Sequence, residues 1–205
     1  MTREQQKKFS KIKNAFPKVL QASCKEFGLK KKDYIVWSKK DNLFFTLFLF
    51  VSELDGHCYI NSTISCKPFW IDELLWDILH MSENKDEPIS FRGVGAFTVE
   101  GCELEKESHE LVEWSVEETT TCVQNAMQNF KVYINKTTQD VFCNRIESNL
   151  CHADVRKLLN LIHNKRYDEA IEFASNMDSD TFVNQGLGIR AGAIQYCEHL
   201  KGNIS

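Results

Sequence analysis

Apolar residues recur at three- and four-residue steps along the start of the chain. Phe9, Ile12, Phe16, Val19, Leu20, Ser23 and Phe27 line one stripe of a predicted helix, and lysines occupy its other faces. Pro17 inside this pattern cannot donate a backbone hydrogen bond, so it predicts a kink or the first turn of a second helix. Gly28 predicts a left-handed cap at the helix end. The period then shortens to two. Segments 33–38, 43–51 and 56–66 read as strands of an antiparallel meander, separated by the turn-forming runs Lys39-Lys40-Asp41-Asn42 and Glu53-Leu54-Asp55-Gly56. In the third strand Cys58, Ile60, Ser62, Ile64 and Cys66 share one face, and His57, Tyr59, Asn61, Thr63, Ser65 and Lys67 share the other. The second strand, Leu-Phe-Phe-Thr-Leu-Phe-Leu-Phe-Val, is apolar on both faces, which predicts a central strand covered on each side.

Beyond Pro68, residues Ile71, Leu74, Leu75, Ile78 and Leu79 form the apolar stripe of a short helix. Segment 91–99 reads as a further strand in which Gly93 and Gly95 predict a bulge or a close backbone approach. From about residue 103 the pattern reads as helical: a long helix over 105–133, then shorter ones at 137–149, 153–164, 167–177 and 181–200. The predicted fold class is α+β. An antiparallel sheet of about four strands, covered by helices, occupies 1–102, and a helical region over 103–205 packs on it or continues it as one domain.

Composition adds constraints. With 205 residues and 42% hydrophobic content the chain is long and apolar enough to bury a core of its own. The first residues are charged and lack the apolar block of a signal peptide, and the apolar run 43–51 is too short to span a bilayer. The expectation is a cytoplasmic protein, no membrane partner, eight cysteines kept as thiols, and chance Asn-x-Ser/Thr matches at Asn61, Asn135 and Asn203. Net charge is −4, but residues 1–40 carry 12 Lys+Arg against 3 Asp+Glu, whereas residues 41–205 carry 13 against 26. That asymmetry bears on partners.

Candidate chemistry is dispersed. Lys7, Lys8, Lys11, Lys30, Lys31 and Lys32 are candidate contacts for an anion or a nucleic acid, with binding expected to be weak and salt-sensitive because lysine greatly outnumbers the base-reading arginine. His57, Tyr59 and Asn61 are a candidate cleft face. The glutamates from Glu100 to Glu118 are dense enough for paired acids or a divalent ion, although a charge run of this kind is usually a solvated helix face. Cys151-His152 is adjacent in sequence, which assures no catalytic geometry. Gly186-Leu187-Gly188-Ile189-Arg190-Ala191-Gly192 imitates a nucleotide fingerprint without the strand and crossover such a motif needs, so close helix packing is the preferred reading. No Cys-x-x-Cys or His-x-x-x-His pair is present. No catalytic residue, cofactor or metal site is expected.

Two stretches carry resemblances. Leu158-Leu159, Leu161-Ile162 and Asn164 to Ile171, with Tyr167 at the turn and small Ala170, resemble one tetratricopeptide-type helical hairpin. The first 65 or so residues, with Lys25-Glu26-Phe27-Gly28-Leu29-Lys30-Lys31-Lys32 feeding a meander that contains Tyr59-Ile60-Asn61, resemble an uncharacterised family of small bacterial α+β domains of unknown function. Members of such families often lie in toxin, immunity or defence gene neighbourhoods, so the resemblance implies interaction more than catalysis and supplies no site residues. Three functions are therefore carried forward: a protein-interaction module, a weak nucleic-acid binder, and an enzyme built on dispersed carboxylates.

Overall fold

The computed structural model describes residues 1–145 and 151–202, so the end of the helix expected at 137–149 and the Asn203 match lie outside the described residues. The chain divides into two compact units, each made of two segments: residues 1–66 with 103–139, and 67–102 with 140–205.

The first unit begins with α1, Arg3–Phe27, which opens on a reciprocal cap. The Thr2 hydroxyl accepts from the Gln5 amide, and the Gln5 side chain accepts from the Thr2 amide. The helix runs through Pro17 as one element and ends at Gly28 with φ 65°. Ile12, Phe16, Val19, Leu20, Ser23 and Cys24 are its buried residues, close to the predicted stripe. Strands β1 (Lys30–Lys32), β2 (Ile35–Lys40), β3 (Leu43–Leu54), β4 (His57–Pro68) and β5 (Cys102–Leu111) form an antiparallel sheet in sequential order. The register sets Val36 against Leu47 and Ile35 against Phe48. Val36, Leu47, Leu49, Cys58, Ile60 and Ile64 lie on the helix-covered face and are buried. Helix α4, Val116–Lys136, packs beside α1 and supplies Val123, Met127 and Phe130 to the core.

Several elements differ from the sequence reading. The stretch expected to open a long helix at residue 105 is the edge strand β5, and α4 begins only at Val116, where Ser115 caps it by accepting from the Glu118 amide. The Glu118 carboxylate in turn accepts from three successive backbone amides, Val112 (2.7 Å), Glu113 (3.0 Å) and Trp114 (3.1 Å), pinning the strand-to-helix connection. The strand expected over 91–99 is instead a single helical turn, α3 (Phe91–Val94). A Cβ on Gly95 would lie 2.7 Å from the Phe91 ring, so the glycine permits that ring to fold back over the turn.

The second unit gathers α2 (Phe69–Ile78), α3, α5 (Gln139–Asn144), α6 (Ala153–His163), α7 (Tyr167–Asn176) and α8 (Ile189–Gly202) around Leu75, Leu79, Phe142, Leu158, Leu159, Ala170 and Ile189. A two-stranded ribbon, β6 (Val183–Asn184) and β7 (Leu187–Gly188), occupies the start of the segment expected to be helical from 181. A buried ion cluster ties its first half together. The Asp72 carboxylate, fully buried, accepts from Lys67 Nζ at 2.9 Å and from the Val99 amide at 2.9 Å, with Arg92 Nη1 at 3.5 Å. Arg92 also donates to the Phe69 carbonyl and to Glu73, and its guanidinium lies over the Phe69 and Trp76 rings. Such a cluster tolerates burial because every charge has a partner and further hydrogen bonds.

Candidate interaction surfaces

The face of the sheet opposite α1 and α4 carries an apolar centre. Phe48 and Phe50 of β3 remain 41% and 38% exposed, with ring centroids 5.3 Å apart. The expectation that β3 is covered on both sides therefore fails at these two rings. Their neighbours are polar. Asn61 Nδ2 donates to the Ser52 hydroxyl at 2.8 Å, and His57 Nδ1 lies 2.5 Å from Glu110 Oε1. Tyr59 stands between, its ring 6.5 Å from that of His57. The sequence-predicted cleft face, His57, Tyr59 and Asn61, is thus the polar flank of an aromatic surface. Phe48 and Phe50 were missed because a run apolar on both faces reads identically whether one face is covered or bare.

The candidate anion contacts fall in two places. Lys7, Lys8 and Lys11 are exposed on the first half of α1, whereas Lys30, Lys31 and Lys32 make up β1 beyond its other end, about 30 Å away at helical rise. Lys7 and Lys11 continue instead into Lys18 and Lys25, all exposed, and this spacing sets the four in one stripe opposite the buried face. Lys8 lies 3.7 Å from Glu4, Lys31 donates to the Asp33 carbonyl, and Lys30 sits 5.2 Å over the Trp37 ring. On the terminal strand β1, lysines also discourage addition of a further strand.

The remaining sequence candidates take structural positions. His152 Nδ1 accepts from the Glu100 amide at 3.0 Å, and its ring lies 4.8 Å from that of Phe182. Burial, followed by a hydrogen bond with Glu100, raises the Cys151 thiol pKa and so favours its protonated form. Neither arrangement activates a nucleophile. In the glycine-rich segment, a Cβ on Gly188 would strike the Asp180 carboxylate, whose Oδ1 already accepts from the Arg190 amide at 2.8 Å in the first turn of α8. The chain's own carboxylate thus stands where the fingerprint would hold a phosphate. Gly192 lies against Ile78, with an added Cβ 2.9 Å from both Ile78 Cγ2 and the Ile78 carbonyl oxygen, as expected of close helix packing.

The glutamates do not form one helix face. Glu105, on β5, accepts from Asn129 and from the Tyr133 hydroxyl, Glu110 faces the other side with His57, and Glu118 holds the loop. Among the described residues no group of three or more His, Cys, Asp or Glu is placed to hold a metal ion. No helix of the described residues is long and apolar enough to cross a membrane. No family model, curated protein or solved structure matches this chain.

Proposed function

We propose that this protein is a non-enzymatic module that binds another protein, of toxin-immunity or defence type, through the open face of its five-stranded sheet. The observation that carries this reading is the exposed Phe48–Phe50 pair. Two aromatic rings on a rigid strand, flanked by Ser52–Asn61 and His57–Glu110, have the anatomy of an interface: an apolar centre that gains from desolvation and a polar flank that sets orientation. The partner presents an apolar group to the two rings and polar groups to the flank. The resemblance of the first 65 or so residues to an uncharacterised family of small bacterial α+β domains of unknown function, which implies interaction more than catalysis, points the same way.

The test is recovery of the tagged protein from its native cells after nuclease treatment, beside the double variant Phe48→Asp/Phe50→Asp. Both rings are partly in solvent, so the variant keeps its fold. One stoichiometric protein partner bound by the parent, with affinity for the variant reduced by about a hundredfold or more, supports the reading. A partner retained equally by both defeats it. A second reading, weak nucleic-acid binding, draws on the aligned Lys7, Lys11, Lys18 and Lys25. It requires a nuclease-sensitive complex whose affinity falls steeply with added salt.

A further inference from the structure

On the helix-covered side of the same sheet, a cleft of about 310 Å³ opens between β4, β5 and α4 within the first unit. Its floor is Ile60 and Ser62, one wall is Glu107 and His109, and the other is one face of α4 through Cys122, Asn125, Ala126 and Asn129. These four helix positions follow i, i+3, i+4, i+7 spacing, so they form a single ridge along the cleft. We infer that this cleft is a binding site for an alkylammonium group, with the Glu107 carboxylate as counter-ion.

Three features select that chemistry. The lining holds a carboxylate and neither lysine nor arginine, and Glu105, one step along the same face of β5, adds a second negative charge at the cleft's end. The field therefore favours a cation. The Asn129 amide is oriented: its Nδ2 donates to Glu105, which leaves Oδ1 to accept. With Glu107, the Asn125 amide oxygen and the Ser62 hydroxyl, the cleft offers several acceptors for an ammonium that carries three donors. Ile60 and Ala126 supply apolar surface for an alkyl stem, and the volume lies at the small end of ligand sites, suited to a short chain. Burial and the nearby Glu118 raise the Cys122 thiol pKa, so the thiol remains a neutral part of the wall.

The ammonium has two sources, a free aliphatic amine or the lysine side chain of a partner, and the same titration separates them. The full chain, labelled with nitrogen-15, is titrated with 1-aminobutane, with Nα-acetyl-lysine-N-methylamide and with sodium butyrate, following the Asn125 and Asn129 side-chain amides. Saturable shifts with either amine at about 1 mM, and none with butyrate, are expected. Tighter binding of 1-aminobutane assigns the site to free amines, and tighter binding of the lysine derivative assigns it to a partner side chain. Glu107→Gln weakens binding by about tenfold, Asn125→Asp strengthens it, and Glu117→Gln, exposed in the first turn of α4, leaves it unchanged. Butyrate shifts equal to those of the amines, the absence of saturation, or full affinity in Glu107→Gln overturns the inference. Phe48→Asp/Phe50→Asp, on the opposite sheet face, retains amine binding, so this site stands or falls apart from the proposed interface.

Discussion

At the scale of single residues, His152 shows how position decides chemistry. It sits at φ 55° in the position before α6, makes no side-chain cap to that helix, and offers an unprotonated Nδ1 to the Glu100 amide. Burial lowers its pKa below the ordinary 6.5; Glu100 opposes the shift, and the Arg156 and Lys67 charges add to it. The unfolded chain therefore binds this proton more readily than the folded one. Its contribution to stability is complete above pH 6.5 and is lost as pH falls through that value towards the folded pKa. Urea midpoints measured from about pH 7.5 to about pH 5 are expected to fall, and His152→Asn, which tolerates the positive φ, is expected to flatten the slope. His163, stacked on Trp70 and likewise lowered by burial, adds a dependence of the same sign. An unchanged slope in the variant would place the acid sensitivity elsewhere. Little of this was legible in the sequence. Cys151-His152 could be noticed as a pair, but their partners Glu100 and Arg156 are supplied by the fold. So are Lys67, Asp72, Arg92 and Val99, which are spread over 33 residues and meet only around one buried carboxylate.

Elements were legible where burial is one-sided. The stripe of α1 and the alternation of β4 follow directly from a helix or strand with one apolar face. Strand β5 defeated that logic because residues 106–110 are all exposed, so Lys106, Glu107, Ser108, His109 and Glu110 carry no apolar alternation and read as a charged helix. Segment 91–99 failed in the opposite sense. Its spaced apolar residues imitate a strand, but Arg92 is anchored beneath the turn by the Phe69 carbonyl and Glu73. The glycine-rich segment gives an element-scale prediction. Within α8, Gly192→Ala should by helix propensity alone stabilise by about 1 kcal/mol. Here the new methyl meets both a side-chain carbon and a backbone oxygen of Ile78 at 2.9 Å, and the backbone atom lies at the end of α2. Overpacking wins. Gly192→Ala is expected to destabilise by about 1–3 kcal/mol in chemical denaturation, and a stabilised variant would show that the α2–α8 approach relaxes freely.

Across the whole molecule, the charge asymmetry of the sequence is largely cancelled by the fold. Residues 1–66 with 103–139 hold 15 Lys+Arg and 13 Asp+Glu, a net +2, because β5 and the start of α4 bring glutamates back to the unit that contains the lysine-rich α1. The other unit holds 10 against 16, a net −6. Electrostatic partners are therefore set by local features, such as the α1 lysine stripe, rather than by opposed halves of the chain. The same discontinuity governs folding. The chain passes between units at residues 66–67, 102–103 and 139–140, so residue 102 separates each unit's two segments. A fragment of residues 1–102 lacks β5 and α4, and with them Val123, Met127 and Phe130, all fully buried and packed beside α1 over the sheet. It also retains α2 without α6, α7 and α8, whose residues complete the second core. Two exposed apolar faces remain, and each removes stabilisation on the scale of a small domain's whole stability. The fragment is expected to show no cooperative thermal transition by circular dichroism and to bind a hydrophobic dye, whereas the full chain unfolds cooperatively. A sharp transition in the fragment would mean that α1 with the first four strands is a complete folding unit, and that β5 and α4 are additions to it.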